Sequence, residues 1–549
     1  MASPSRHALP PARPRHRHSL SSTVVDESVA AAAVLVEKWH PDDDSTSLFL
    51  DGAGEDDYEP QRFLRAAADL HRAMLFFAGD EDVSNDDAHG LVQAQALLQT
   101  AMRRLDLELQ LLLLHIDDDE STATASSSSS GSTSNKKLED DLRAVAEAMM
   151  AAGYGKECIS TFKSRRRAAL ATKLQRLLGF SLLSSPRRRP DELQHMILHK
   201  LTWEQLDGSI IPSWVNAATV AFNSLFPAEK HLCDAAFAAS SIDIGEAVFA
   251  AVANEQATGL LAVAEAAVAR ATRRRAPERL FRVLDVHHTL AAEVLPALSP
   301  SSSSSVFGAA ADAEAISARA ALLVAKARDA ARATLEGLEA AIHKEPSKAT
   351  APGGAVHPLT RYVINYLVFL ADYHRQEEEE EEDEMTTTMV SYHRRLVMAL
   401  EGKLEAKAGS YRRHVALSYL FLANNTHYMA KKVDGSAKLR GILGEGWPEA
   451  QRAKARAHVD VYVRAAWGKV TAAAIAGAAA EGGVEAAVME AVGMQEEWVA
   501  ADEEMGRALR AAATAAVVPK YRMFYRKYGA KVSLTPGDVT AMIAALFAT

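Results

Sequence analysis

The sequence contains little cysteine and few aromatic residues, and each shortage excludes a class of fold. It has 2 cysteines, Cys158 and Cys233, in 549 residues, too few for a cysteine-based zinc module or a disulfide scaffold. Aromatic residues make up 6% of a chain that is 48% hydrophobic, so alanine, leucine and valine supply the apolar surface. Because alanine and leucine favour helices, whereas β-branched and aromatic residues dominate sheets, the composition predicts an all-α protein.

The sequence also lacks an excess of positive charge and a long apolar run. Its formal net charge of -10 at pH 7 argues against general nucleic-acid binding but allows a local basic patch. The longest uncharged stretch, residues 209–227, contains Pro212, Asn216 and Asn223, so we do not expect it to cross a membrane.

Sequence motifs of known catalytic sites are missing as well. The Gly-Lys pairs at 155–156, 402–403 and 468–469 lack the upstream glycine and the hydroxyl residue of a phosphate-binding loop. The adjacent residues His287 and His288 would point about 100° apart on a helix, so they cannot share a metal ion without other ligands. The sequence therefore predicts no catalytic residue, no metal site and no cofactor, and the protein is not expected to be an enzyme.

Polar and low-complexity segments divide the chain into predicted regions. These are a largely disordered tail with one short helix near 28–39 (1–60), a helical hairpin or coiled-coil-like region (61–116), an acidic and Ser-rich linker (117–137), middle helix bundles (138–345) and C-terminal helix bundles with a basic tail helix (356–549). The eight acidic residues at 377–384 repel one another, so we expect a solvated loop there.

Two patterns predict particular helices. Eight apolar residues follow one another at steps of three or four from Leu91 to Ile116, which indicates a helix packed lengthwise on another helix. Near the C-terminus, Thr535, Pro536 and Asp538 form the N-cap, first-turn proline and third-position acid of a final helix.

The tail of the chain is basic although the whole molecule is acidic. Residues 515–549 carry one acid, Asp538, and a net charge of +4. The five basic residues are Lys520, Arg522, Arg526, Lys527 and Lys531. Either they form the water-facing side of a helix whose aromatic side lies in the core, or they bind anionic lipid headgroups, each contributing up to about 1 kcal/mol. The composition alone leaves both interpretations open. The simplest interpretation of the arginine triplets at 165–167, 187–189 and 273–275 is a solvated helix end or loop, and we expect this for 187–189, which prolines flank on both sides.

Several strings of the sequence resemble one known family. They are AGYGKEC (152–158), LFPAEKHLC (225–233), LFRVLD (280–285), VHPLTRYVINYL (356–367), LFLANNTHY (420–428), RAAWGK (464–469) and VPKYR (518–522). In this order and spacing, over residues 140–549, the chain resembles the plant form of the seventy-kilodalton subunit of the exocyst tethering complex.

The resemblance implies both a fold and a function. The expected fold is an elongated rod of consecutive antiparallel helix bundles without a catalytic site. The expected role is to help dock secretory vesicles at the plasma membrane, with the protein in the cytoplasm and on the cytoplasmic face of that membrane. The implied partners are other exocyst subunits and phosphoinositide headgroups, with small GTPases as a further candidate and no nucleic acid. An alternative function is a diverged soluble helical adaptor, for example in plant defence-related secretion, that binds proteins but not lipid.

The resemblance also assigns roles to particular residues. Members of the family bind phosphatidylinositol 4,5-bisphosphate through basic side chains of the C-terminal bundle. By position, the candidates are the same five residues: Lys520, Arg522, Arg526, Lys527 and Lys531. The polar and aromatic motif residues are expected to fill bundle cores or to cap buried polar groups. They are Tyr362, Asn365, Tyr366, Asn424, Asn425, His427, Tyr428 and Trp467.

Overall fold

The computed structural model of the protein consists of helices joined by loops. The residues it describes are 22–42, 46–50, 58–78, 85–123, 131–180, 202–239, 242–273, 276–299, 302, 305–308, 311–346, 350–373, 384–411, 414–477 and 483–547. These residues form helices and turns but no strand, so the all-α prediction is confirmed.

Among the described residues, eight helices of ten residues or more precede residue 274. They are α1 (Ser22–Lys38), α2 (Glu59–Ala78), α3 (Asn85–Ala123), α4 (Gly131–Ala151), α5 (Gly155–Leu178), α6 (Ile211–Val220), α7 (Phe226–Phe237) and α8 (Ile242–Arg273). A single α-helical turn, Trp203–Gln205, leads into α6 through the π-helical segment Leu206–Ile210, and a second π-helical segment, Ala221–Leu225, joins α6 to α7.

Eleven further helices are described after residue 276. They are α9 (Leu280–Thr289), α10 (Leu295–Leu298), α11 (Ala311–Lys344), α12 (Pro358–Asp372), α13 (Glu384–Ala408), α14 (Val415–Asp434), α15 (Ala437–Leu443), α16 (Trp447–Ala476), α17 (Gly483–Gly493), α18 (Glu503–Tyr528) and α19 (Pro536–Ala545). A π-helical segment, Leu290–Val294, joins α9 to α10. Short 3-10 helices lie at Pro277–Arg279, Pro352–Gly354 and Gly529–Lys531.

The chain forms two compact units. The first is drawn from residues 1–267 and 288–324, and the second from residues 268–287 and 325–549.

In the first unit, α3 is the central packing element. It packs against α2, α4 and α5, and the six middle members of its predicted apolar stripe are buried. These are Ala94, Leu98, Met102, Leu105, Leu109 and Leu112. The lengthwise packing predicted from their spacing is therefore present.

In the second unit, α16 packs against α14, α17 and α18. The core that these helices share includes Tyr462, Trp467, Leu509 and Tyr521. The final helix α19 covers this core through Val539 and Ile543. It begins with the predicted capping box, in which Thr535 accepts from the Asp538 N–H and the Asp538 side chain accepts from the Thr535 N–H. The capping box fixes where the chain turns after the basic tail.

One helix has the length and hydropathy of a membrane span. Residues Ile242–Thr272 meet both criteria, but 67% of the apolar window is buried within the protein. Burial to that extent is typical of a core helix, so the hydropathy of α8 is explained by packing.

Two sequence predictions need correction near the N-terminus. Helix α1 starts at Ser22 rather than near residue 28, because Val25, Val29, Ala32 and Val36 bury one of its faces. Residues 46–50, predicted as part of a disordered tail, are held by α3. The Glu108 carboxylate accepts hydrogen bonds from Ser47 Oγ at 2.7 Å and from the Leu48 N–H at 2.8 Å. Residues 1–21 lie outside the described part of the chain.

Helical residues also reach into segments predicted as loops. Helix α3 continues to Ala123 and α4 begins at Gly131, so both ends of the predicted linker 117–137 are helical. Residues 124–130 lie outside the described residues. In the acidic run, Glu384 begins α13, while 377–383 are not described.

Candidate functional site

Four of the five basic tail residues lie on α18, and the first turn of this helix is firmly fixed. Asp502 is its N-cap, and its carboxylate accepts a hydrogen bond from the Met505 N–H at 2.9 Å. The same carboxylate lies 3.1 Å from His427 Nε2 and 2.6 Å from Lys431 Nζ, both on α14. Burial would raise the pKa of Asp502, but Lys431, the Met505 N–H and His427 outweigh it and lower that pKa to about 2. The start of α18 is therefore tied electrostatically to α14.

One face of α18 lies in the core of the second unit. Residues Leu509, Ala513, Val517, Tyr521 and Phe524 recur at steps of three or four and are buried. The Tyr521 hydroxyl donates to the Leu534 carbonyl at 3.0 Å, and burial raises the pKa of Tyr521 to about 12. This face sets the rotation of α18, and its opposite face must point to solvent.

The opposite face carries the positive charge. Lys520, Arg522, Arg526 and Lys527 are exposed on the last two turns of α18, and we call these four residues the basic face. Arg522 and Arg526 are four residues apart and therefore neighbours on the helix. Lys531 is also exposed, in the 3-10 helix that follows.

These cations have no acidic partners among the residues that the structure describes. Lys527 makes a cation–π contact, with its Nζ 5.1 Å from the centroid of the Tyr528 ring. Two carboxylates at this end of the unit are used by the backbone. Glu485 accepts from the N–H groups of Ser533 and Leu534 at 2.5 and 2.6 Å, and Asp538 caps α19. Within the described part of the chain, no carboxylate compensates the positive charge that the basic face presents to solvent.

The arginine triplet 165–167, in contrast, is not a solvated helix end. Arg166 lies in the interior of the first unit, where it is 2% exposed. Its Nε lies 3.0 Å from Glu229 and its Nη1 2.9 Å from Asp117. Burial alone would lower the pKa of Arg166, but the charges and hydrogen bonds of Glu229 and Asp117 raise it.

The two neighbours of Arg166 also have partners within the protein. Arg165 contacts Gln110, and Arg167 donates to the Ala251 carbonyl at 2.6 Å. Of the other two triplets, 187–189 and 274–275 lie outside the described residues.

Four of the eight motif residues have the packing and capping roles that were predicted. Asn424 Nδ2 donates to the carbonyls of Gly354 and Val499, each at 2.8 Å, and its Oδ1 accepts from the Ala501 N–H at 2.9 Å. Asn425 Oδ1 accepts from the His357 N–H at 2.9 Å and from Thr360 Oγ1 at 2.7 Å. Tyr366 and Trp467 are buried.

Two of the motif residues do not lie in a core. Tyr362 is 41% exposed, and its hydroxyl donates to Glu278 at 3.0 Å. Asn365, three residues further along α12, is exposed as well. The buried face of α12 runs through Val363, Ile364 and Leu367, so these two side chains point outward.

The cluster around Asp502 was missed by the sequence analysis, because Asp502 and His427 are 75 residues apart and form no motif. His427, Asp502 and Glu504 have the proximity of metal ligands. However, the Lys431 ammonium lies 2.6 Å from Asp502 and 3.8 Å from Glu504. A second cation would be repelled there, so the arrangement is an ion-pair network that fixes α18.

The cysteines lack the chemistry of nucleophiles. Both are buried, and burial raises the pKa of Cys158 to about 12 and the pKa of Cys233 further. A thiol in such an environment stays protonated near neutral pH.

Comparison with known families gives two matches along the chain. A family model for the C-terminal part of Exo70, an exocyst complex subunit, matches residues 212–476 and 483–545. A second model, for the N-terminal part of the exocyst complex component Exo70, matches residues 28–115.

Curated relatives and solved structures agree with the family models. The chain is 28% identical over 416 residues to Arabidopsis thaliana Exocyst complex component EXO70A1, covering 71% of this chain and 61% of that protein. It is 30% identical over 425 residues to EXO70C2 of the same plant, covering 73% and 57%. The chain thus spans less than two thirds of the length of these relatives. A structure of Saccharomyces cerevisiae Exo70 superposes with a TM-score of 0.56 at 12% identity, covering 96% and 99% of the two chains, which shows a shared fold.

Proposed function

The chain belongs to the Exo70 family of exocyst subunits, and from this membership we propose that it is a non-catalytic tether that helps dock secretory vesicles at the plasma membrane. In this proposal it acts with other exocyst subunits, and small GTPases are a further class of partner. It works in the cytoplasm and on the cytoplasmic face of the plasma membrane. The family membership supports the tethering role, and the basic face supports the membrane contact.

The membrane contact proposed is with phosphatidylinositol 4,5-bisphosphate. One observation carries it: the four cations of the basic face, with Lys531 beside them, have no acidic partners among the described residues although the whole chain is acidic. Each basic residue near an anionic surface contributes about 1 kcal/mol, so five supply at most about 5 kcal/mol. Cations already paired with carboxylates would supply much less, because binding would first have to break those pairs.

Vesicle sedimentation with the full chain tests this proposal. Wild type should bind phosphatidylcholine vesicles that contain phosphatidylinositol 4,5-bisphosphate and should not bind phosphatidylcholine alone. The fourfold variant K520E/R522E/R526E/K527E should lose the binding. Raising the salt concentration should weaken wild-type binding, because charges are screened over about 8–10 Å at ordinary ionic strength.

A matched control reverses four exposed basic residues of the first unit that have no ion pair in the structure. These are Arg62, Arg65, Arg103 and Arg176. This variant has the same change in net charge and should still bind. Equal loss in both variants would reject the site, because net charge alone would then explain binding. If wild type binds no vesicles but still copurifies with exocyst subunits, the alternative of a helical adaptor without lipid binding is favoured.

A further inference from the structure

An apolar side chain lies in the middle of the basic face. Met523 is 72% exposed on α18, although Tyr521 and Phe524 on either side of it are buried. It follows Lys520 by three residues and precedes Arg526 and Lys527 by three and four. Residues at these spacings are neighbours on a helix surface, so Met523 is surrounded by cations within one helical turn.

Exposure of a single methionine does not by itself indicate a function, since much of any protein surface is apolar. Met398 on α13 is 71% exposed, and it provides a comparison within the same unit. The two arginines one turn before it have partners within the protein. Arg395 pairs with Glu339 at 2.5 Å, and Arg394 donates to the Ile442 carbonyl at 3.2 Å. The surroundings of Met523 differ because its basic neighbours have no ion pair or hydrogen-bonded partner among the residues that the structure describes.

Apolar and cationic groups on one exposed helical face suit the boundary between lipid headgroups and acyl chains. Side chains of lysine and arginine have long apolar stems, which lets their charged ends stay at the headgroups while a neighbouring apolar group goes deeper. Methionine is unbranched and flexible, so it fits an irregular apolar environment. The opposite face of α18 is fixed in the core, so the helix can offer only this side to a membrane.

We propose that Met523 enters the acyl boundary of an anionic membrane while the basic face binds the headgroups. This inference rests on the proposed function, because it assumes that the basic face meets a membrane. It adds a consequence that charge alone does not give. Part of the binding should resist salt, since screening weakens the charge attraction but not the burial of an apolar side chain.

The first experiment compares Met523→Gln with Met398→Gln in the full chain. Vesicles of phosphatidylcholine with phosphatidylinositol 4,5-bisphosphate are sedimented at low and at high salt. Met523→Gln should weaken partitioning about tenfold at both salt concentrations, whereas Met398→Gln should bind like wild type. Wild-type partitioning for Met523→Gln at high salt would overturn the inference.

The second experiment tests directly whether residue 523 enters the membrane. Because both native cysteines are buried, a Met523→Cys variant can be labelled at one exposed site with an environment-sensitive fluorophore. Its emission should shift to the blue on adding the same vesicles, and the label on Met398→Cys should not change. A label at residue 523 that stays in water would also overturn the inference.

The outcomes separate this inference from the proposed function. If wild type does not bind the vesicles at all, the lipid-binding function fails and the inference falls with it. If wild type binds and the fourfold charge reversal abolishes binding, but residue 523 neither affects binding nor changes environment, only the role of Met523 is rejected.

Discussion

Two clusters of basic residues in this protein have opposite surroundings. The arginine triplet 165–167 lies on α5 in the first unit, and each of its side chains has a partner within the protein. The basic face lies on α18 in the second unit, and its side chains meet no carboxylate among the described residues. Positive charge therefore stabilises the fold in one place and remains available for binding in the other.

A cluster of basic residues in a sequence therefore does not by itself predict whether its charges are paired or exposed. A carboxylate reaches the triplet because Glu229, on α7, is brought against α5. At the end of α18, the carboxylate of Glu485 is instead occupied by backbone N–H groups. The supply of free carboxylates decides whether a basic cluster is paired within the fold or left exposed to solvent.

The largest expected effect comes from breaking the buried ion pair. Arg166→Ala should lower the free energy of unfolding of the first unit by about 3–5 kcal/mol, because Glu229, which is 3% exposed, would be left buried without its partner. Urea unfolding followed by circular dichroism measures the change.

The matched control is Arg165→Ala, the adjacent residue of the same type. Arg165 is exposed and contacts only Gln110, so its loss should cost less than about 1 kcal/mol. If the two variants lose similar free energies of unfolding, the prediction is wrong, because Arg166 would then not act as a buried structural residue.

A smaller effect is expected from the carboxylate that supports the loop after the basic face. Glu485→Gln should lower the free energy of unfolding of the second unit by about 1–3 kcal/mol, because it weakens the hydrogen bonds from Ser533 and Leu534. Glu490→Gln, on the same helix, removes only a surface ion pair with Lys469 and should cost at most about 1 kcal/mol. If both variants lose the same free energy of unfolding, Glu485 does not support the loop after the basic face.

The effect of Glu485 should depend on pH. The hydrogen bond from the Leu534 N–H, together with those from Ser533, holds the pKa of Glu485 below its ordinary value. A lowered folded-state pKa stabilises the fold above the unfolded pKa of about 4.3, and this contribution disappears as pH falls through the folded value. Wild type should therefore exceed Glu485→Gln in stability at pH 7, and the difference should shrink in acid. A difference that is constant with pH would show that the charge has no part in it.

The smallest effect on stability is expected at the basic face itself. Changing Lys520, Arg522, Arg526 and Lys527 to glutamine should alter the free energy of unfolding by less than about 1 kcal/mol, because no ion pair with a described residue is lost and only the exposed contact of Lys527 with the Tyr528 ring is removed. At low salt, relief of like-charge repulsion should make the variant slightly more stable. Thermal unfolding at two salt concentrations measures this. A loss of about 2 kcal/mol or more would contradict the separation of binding charge from structural charge.

Much of the fold and part of the candidate site could be predicted from local patterns. The apolar stripe of α3 and the capping box of α19 were correct because helix periodicity and capping involve residues within a few positions of each other. The five basic tail residues were found by counting charge. Met523 was not, although the aromatic residues at 521, 524 and 528 carried the signal that turns residue 523 outward.

Composition and short-range spacing were enough to predict an all-helical chain with a positive tail on an acidic protein. Which charges are paired depends on how the helices pack. Glu229 and Asp117 lie 63 and 49 residues from Arg166, and Lys431 lies 71 residues from Asp502. The physical reason is that an ion pair needs its atoms within a few ångströms, and separations of that length in sequence are closed only when helices pack.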